Sequence, residues 1–460
     1  MRSIALCLLL LLTAGLGLQA QSPDNQLLRE IFAQLLEINT AVDSGETTSA
    51  AKAMAARLRA AGFADSDIQV LGPAPHKHNL VVRYRGTGKQ KPLLLLAHLD
   101  VVEAKRADWT LEPFQLTEKD GFFYGRGTGD QKAMCAIWVA NLIRWKREGY
   151  KPDRDLIVAL TADEEGGKFN GVEWLVKNHR SLIDSELCIN EGGFGESKNG
   201  KRLYNQVQVA EKYVVTYQLT VRNKGGHSSM PVKENAIYRL SAALDRLGKF
   251  EFPVKLNDVT REYFERMSSR TEPRAGAAMR QLLQGSATGA SALAEQSPYW
   301  NSTMRTTCVA TRLEGGHADN ALPQTALATV NCRVLPEQSE DDVRATLRKV
   351  FADEHVEIAF KRPPSPGPAS PMRPDVMQAT ERVTARLFPG VLVVPTMLTG
   401  ATDGKYLRAV GIPTYGVSGI FFDMDDIRWH GRDERVGVRD LYDGREFLYQ
   451  LVKELSGPTR

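Results

Sequence analysis

PLLLLAHLDVV, residues 92–102, reads as a strand buried on both faces. Four leucines follow one another without period-two alternation, as in a parallel sheet covered by helices on either side. His98 and Asp100 stand directly at its end. Two further runs repeat the pattern: Leu156 to Thr161 leads to Glu164 and Glu165 in TADEEGG, and the strand ending at Asn190 leads to Glu191 in INEGG. Asn79 to Tyr84 reads as a fourth strand. Between these, GRGTGD (125–130) precedes KAMCAIWVANLIRWKREG, whose apolar residues recur at helical spacing. Residues 25–38 and Thr48 to Leu58 predict two more helices, the second with Ser49 as its cap. Strands alternating with helices predict an α/β catalytic domain on a mostly parallel sheet. Chemistry in such a sheet gathers at the carboxyl ends of the strands. Asp130 would start its helix, where backbone N–H groups favour a carboxylate.

The chain has 460 residues, 42% hydrophobic and 25% charged, a globular balance that is too long for one ordinary core. Its formal net charge is +4, with no lysine or arginine block, which argues against a nucleic-acid partner. Met1-Arg2, the apolar stretch Ile4 to Leu18 and Leu18-Gln19-Ala20 predict a signal peptide over 1–20, cleaved near Ala20. That stretch is short for a membrane span, and an uncleaved anchor is the alternative. The expected location is periplasmic or secreted, without stable membrane insertion. Cys308 and Cys332 lie almost symmetrically about Asn320, so a disulfide across a hairpin is open to an exported chain. Cys135 and Cys188 sit in apolar runs and read as core residues.

A second unit begins at Tyr213. YVVTYQLTVRNK alternates as a strand, a helix follows Gly225-Gly226-His227-Ser228-Ser229, and Arg305 to Leu313 pairs with Ala326 to Val334 around GGHADNALP. A helix from Glu340 and a strand from Val356 complete the order β-α-β-β-α-β. This predicts an inserted two-layer α+β, ferredoxin-like lid or dimerisation domain. A long insertion near 252–300 interrupts it, and Pro363-Pro364-Ser365-Pro366 is a linker. The expected boundaries are 21–212 and 363–460 for the catalytic domain and 213–362 for the lid, because His430 belongs with His98.

Zinc takes imidazole and carboxylate ligands, and catalytic sites keep a position open. His98, Asp130, Glu165, Glu191 and His430 form such a set, in which three carboxylates and one hydroxide balance two zinc ions. Asp130, alone at its helix start, is the natural bridge. His98 and Glu191 would complete one site, Glu165 and His430 the other; Co2+ or Mn2+ would suit the same ligands. Glu164, left over beside a ligand, is the candidate general base. Asp100 would orient the His98 imidazole. Singly, each motif is weak: a Glu-Glu pair is usually a solvated loop, and Gly-Thr-Gly-Asp is often only a turn. Their joint order and their placement at strand ends carry the reading.

With these motifs the chain resembles the co-catalytic zinc peptidases of family M20, which include glutamate carboxypeptidase, aminoacylase, succinyl-diaminopimelate desuccinylase and carboxypeptidase S. The resemblance spans about residues 25–458 and rests on AHLDVV, GRGTGDQK, TADEEGG, NEGG, KGGHSSMP, ADNALP, GATDGKYL and HGRDE. It implies the same five ligands and the same base. Glu at 191 is similar to the carboxypeptidase, aminoacylase and desuccinylase side of the family. The resemblance implies that His227 contacts the substrate carbonyl or its oxyanion, in dimeric members from the partner. It also implies that Asn320 binds substrate; Arg333 is a further candidate, for a carboxylate contact. Gly400, Thr402 and Asp403 would form a loop whose backbone N–H groups hold a substrate carboxylate. The implied activity is hydrolysis of small peptides or N-acyl amino acids with a free carboxylate, by a chain that can form a homodimer. The runner-up is a dipeptidase or aminopeptidase-type exopeptidase. A binding module without activity would require a missing ligand or base, and none is missing.

Overall fold

The leucine strand, Gln90–His98, lies inside a ten-stranded sheet. A computed structural model describes residues 22–458 of the chain; the expected signal peptide over 1–20 lies outside the described residues. On one side Gln90–His98 pairs in parallel with Arg154–Thr161, and on the other with Leu187–Asn190, which in turn pairs in parallel with Thr414–Gly416. Leu93, Leu95 and Ala97 pack into the larger core with the helices Pro23–Glu37, Thr47–Ala60 and Lys132–Glu148. Leu94 and Leu96 point the other way, into a smaller core with Gly171–Asn178 and Gly404–Ala409. That two-sided burial is why the run carries no polar residue: each leucine removed from water is worth roughly 1.5–3 kcal/mol.

The flanks add antiparallel pairs. Asn79–Tyr84 runs against Arg154–Thr161, and Lys201–Glu211 against Gly195–Lys198, so the sheet is mixed outside its parallel centre. The helix Lys132–Glu148 buries Trp138 and Trp145 fully and ends at Gly149, whose φ of 64° suits the left-handed cap. Ser49 does not cap the second helix. That helix starts at Thr47 after Glu46, and the Ser49 hydroxyl, already inside the first turn, bonds the Glu46 carboxylate.

Residues 213–360 build a separate four-stranded antiparallel sheet in the order Thr307–Gly315, Thr325–Val334, Tyr213–Arg222, Glu357–Phe360. Helices Ala236–Lys249 and Glu340–Phe351 cover one face of it, giving the two-layer lid. Cys308 and Cys332 stand opposite each other on neighbouring strands and form a disulfide. The insertion forms four helices between Asp258 and Met304 around their own core. That core includes Val394, from the catalytic-sheet strand Leu392–Leu398, and Arg266 binds Glu381 and the Val393 carbonyl. The insertion therefore braces the lid polypeptide against the catalytic domain and leaves the lid's outer strand uncovered. No helix among the described residues is long and apolar enough to cross a membrane.

Candidate active site

Three parallel strands deliver the acids to one edge of the sheet. His98 closes Gln90–His98 opposite Thr161, Glu164 and Glu165 follow Arg154–Thr161, and Glu191 follows Leu187–Asn190. His430 arrives from the far end of the chain with φ 59°. The donor atoms of His98, Asp130 and Glu191 lie within 4.8 Å of one another, and so do those of Asp130, Glu165 and His430. Asp130 belongs to both groups. Its Oδ1 lies 3.0 Å from His98 Nε2, and its Oδ2 lies 3.1 Å from His430 Nε2.

Asp100 acts on His98 chiefly through its backbone. The carbonyl accepts from His98 Nδ1 at 2.9 Å, whereas the nearer carboxylate oxygen is 3.7 Å away. A carbonyl can only accept, so neutral His98 carries its proton on Nδ1 and leaves the Nε2 lone pair for the cluster. The Asp100 carboxylate instead accepts the backbone N–H of Glu165 at 2.9 Å, tying two of the strand ends together. Burial pushes its pKa up to about 6.

Several residues outside the expected set hold the cluster in place. Glu434 is fully buried; its carboxylate accepts the N–H groups of Gly127, Gly129 and Asp130 and pairs with buried Arg126. The carboxylate at these N–H groups is thus that of Glu434, and Asp130 is free to face the histidines. This corrects the expected helix-start role of Asp130, since the helix begins at Lys132. Gln131 donates to Glu191 at 2.7 Å. Asp163, with φ 56°, pairs with Lys77 at 2.8 Å and anchors the loop that carries Glu164. A Cβ on Gly167 would stand 2.2 Å from the Asp163 carboxylate, so only glycine fits there. The motif HGRDE contains Glu434, but nothing local to it marks a partner 305 residues away.

The electrostatics are those of crowded acids. Burial, then the charge of Glu191, raises Glu164 well above the usual carboxylate range, and burial raises Glu191 against the pull of His98. Burial opposes ionisation of Asp130, but hydrogen bonds and charge from His430 and His98 hold it far below that range. His430 is pushed up to about 10 by its hydrogen bonds to Asp130 and Glu165. Burial would lower His98, yet the facing acids, Glu191 foremost, raise it well above the imidazole range. Two imidazoles do not balance this acidity. Imidazole and carboxylate donors in two groups, sharing a carboxylate that offers one oxygen to each, fit two divalent cations of the zinc type.

Beside the cluster lies a cavity of about 210 Å³ that Glu164, Ala401 and Thr402 help to line. Gly400 and Asp403 are not among its lining residues. The 400–404 loop departs from its expected role. Thr402 N–H is spent on the buried Glu211 carboxylate at 3.0 Å, and Glu211 pairs with buried Arg408. Asp403 accepts from Asn170 at 2.6 Å and from Thr161 at 3.4 Å, and burial raises it to about 7. Its carboxylate is therefore a support for the strand ends. In the lid, Gly226–His227 pairs with Ala321–Leu322, and Ser228 N–H binds the Asn320 carbonyl at 2.9 Å. The structure thus brings His227 and Asn320 together, exposed and apart from the cavity lining. His227 Nδ1 accepts from the backbone N–H of Ser229 at 3.1 Å, which leaves the ring proton on Nε2. Arg333 stands half-buried on the lid strand Thr325–Val334; its pKa is lowered by burial alone, and no acid among the described residues pairs with it.

Known proteins share this architecture. The M20 family metallo-carboxypeptidase Sso-CP2 from Sulfolobus solfataricus superposes with a TM-score of 0.69 at 16% identity, covering 93% of this chain and 98% of that one. Human carnosine dipeptidase 1 gives 0.62 at 15% identity, with 94% and 96% covered. In sequence, the N-fatty-acyl-amino acid synthase/hydrolase PM20D1 of Xenopus tropicalis is 31% identical over 373 residues, 79% of this chain and 72% of the relative. The probable carboxypeptidase S-like 2 of Dictyostelium discoideum is 28% identical over 390 residues, 82% and 74% of the two chains. Residues 94–454 match the model of peptidase family M20/M25/M40, and the chain belongs to that family as a metal-dependent hydrolase of amide bonds.

Proposed function

We propose that the chain is an exported amidohydrolase that cleaves N-acyl amino acids or small peptides bearing a free carboxylate, with Glu164 as its general base. The observation that carries this reading is Asp130, whose two oxygens face His98 and His430 from the middle of two donor groups. His98, Asp130 and Glu191 would hold one zinc ion, and Asp130, Glu165 and His430 the other. Bound there, the pair supplies Lewis acidity and lowers the pKa of water.

The remaining chemistry belongs to the side chains. Glu164, neighbour in sequence to Glu165 and lining the cavity, takes the proton of the attacking water and returns it to the leaving nitrogen. Burial and the charge of Glu191 raise its pKa, the direction that helps it return the proton as an acid. His227, with its proton on Nε2, donates to the developing oxyanion once the lid has closed. Arg333, without an acid partner, receives the substrate carboxylate. The names of the Xenopus and Dictyostelium relatives, an N-fatty-acyl-amino acid synthase/hydrolase and a probable carboxypeptidase S-like protein, support a substrate of this kind.

The leader over 1–20 is the ground for export. A homodimer would form along the outer lid strand Thr307–Gly315, where Val309 and Leu313 are exposed beside Ile237 and Tyr238 of the adjoining helix. Solution mass measures that assembly. The substrate reading is tested by comparing hydrolysis of N-acyl amino acids, dipeptides and the C-amidated form of each. Loss of cleavage on amidation supports it, and equal cleavage of the amidated forms overturns it.

A further inference from the structure

The cavity beside the acids has a mixed lining. Besides the carboxylates, its lining includes Met134, Phe194, Leu398, Ile420, Phe422 and Trp429. Three of these are aromatic and come from three separate segments: the turn after Glu191, the strand Phe421–Asp423 and the loop ending at His430. Their rings meet edge to face. Phe194 and Trp429 have centroids 4.8 Å apart at 78°, Phe422 and Trp429 5.1 Å at 81°, and Phe194 and Phe422 6.1 Å at 83°. Mutual edge-to-face packing braces each ring against the other two. Trp429 also lies on the backbone of Gly129, next to Asp130. The wall is therefore packed together and tied to the loops that carry Asp130 and His430.

We propose that Phe194, Phe422 and Trp429 are the specificity-determining residues for the acyl side of the substrate, and that the cavity receives an apolar acyl group while the carboxylate end remains toward the lid. This rests on the hydrolase reading above. No lysine or arginine lines the cavity and its one imidazole, His430, is a candidate metal ligand, so apart from the metal ions a substrate carboxylate placed there would gain no cation for its lost hydration. Phe194 and Phe422 are only half-buried, so they retain apolar surface for a ligand to cover. Arg333, which pairs with no acid among the described residues, belongs to the lid. Apolar wall and cation thus stand in different domains, and a substrate apolar at one end and anionic at the other spans both.

The test uses zinc-loaded full chain and a series with one amino acid, N-acetyl-, N-hexanoyl- and N-benzoyl-leucine. Wild type is expected to favour the larger acyl groups in kcat/KM. Phe422→Ala and Phe194→Ala are each expected to lower the hexanoyl-to-acetyl ratio by about tenfold. Phe422→Leu, which keeps apolar volume, should recover most of that ratio. The ratio is internal to each variant, so a general loss of folded enzyme does not move it. Cleavage of the series with the ratio unchanged in both alanine variants overturns the acyl wall and leaves the hydrolase reading standing. Failure of wild type to cleave any member overturns the hydrolase reading, and the wall falls with it.

Discussion

The carboxylate of Glu434 accepts the backbone N–H of Asp130 at 3.0 Å, while the Asp130 side chain turns away to His98 and His430. One acid thus holds the peptide of another, so that the second can offer an oxygen to each donor group. Burial raises the pKa of Glu434, and Arg126 and the glycine N–H groups counter it.

Glu434→Gln should weaken zinc binding without touching a candidate ligand. Neutralising this support is expected to cost ~10–100-fold in affinity, the usual size of an outer contact to a metal site. It would also leave Arg126 buried without its charge partner, a loss on the order of 3–5 kcal/mol in stability. Competition with a chromogenic chelator measures the first and denaturant unfolding the second. An unchanged zinc affinity would show that the 127–130 loop does not depend on Glu434.

Glu164→Gln separates chemistry from metal binding. The variant is expected to hold the wild-type amount of zinc by elemental analysis and to lose ~10²–10⁴-fold in kcat. Stripping wild type with a chelator should abolish hydrolysis, and adding zinc back should restore it. A Glu164→Gln protein that turns over at the wild-type rate would remove Glu164 from the base role.

Gly129→Ala probes the contact between the two loops. The added Cβ would stand 2.4 Å from the Trp429 ring, closer than side chains pack, so the indole must shift and His430 with it. Overpacking of this kind costs about 1–3 kcal/mol. The expected result is a lower melting temperature, a changed tryptophan emission spectrum and reduced kcat/KM. Unchanged emission and activity would mean that the loops adjust independently.

Lys212 gives a pH dependence away from the metal ligands. Its ammonium donates to the Ser302 carbonyl at 2.7 Å, to the Ser302 hydroxyl at 3.2 Å and to the Thr307 hydroxyl at 3.3 Å, with no acid partner among the described residues. Burial, then the charge of Arg333, lowers its pKa to about 7 from 10.5. Between those values the unfolded chain binds more protons than the folded one, so this group's contribution to stability rises with pH; below about pH 7 it is constant. Relative to Lys212→Met, wild type should therefore gain stability from pH 7 to pH 10. Parallel stability curves for the two proteins across that range would show that Lys212 does not titrate there.

Much of the site was legible because each motif is local. The leucine run ends at His98 whatever lies elsewhere, and TADEEGG and INEGG likewise close apolar runs. The supports were not legible. Glu434, Arg126, Lys77 and Arg408 acquire their meaning only from partners on distant segments, and as isolated residues they read as ordinary surface charges. The 400–404 loop shows the reverse. It reads as an anion-binding turn, yet Glu211, a buried acid from the end of another strand, takes the Thr402 N–H.

By itself the sequence determined the α/β alternation, the strand ends that carry the acids and the likeness to a di-zinc family, because strand burial and turn chemistry are encoded within a few residues. Only the tertiary structure decided that Glu434 takes the loop N–H groups and so frees the bridging Asp130, and that the helical insertion braces the catalytic sheet. It alone assembled the wall of Phe194, Phe422 and Trp429. Those are relations between segments far apart in the chain, and packing, not local preference, sets which side chains meet.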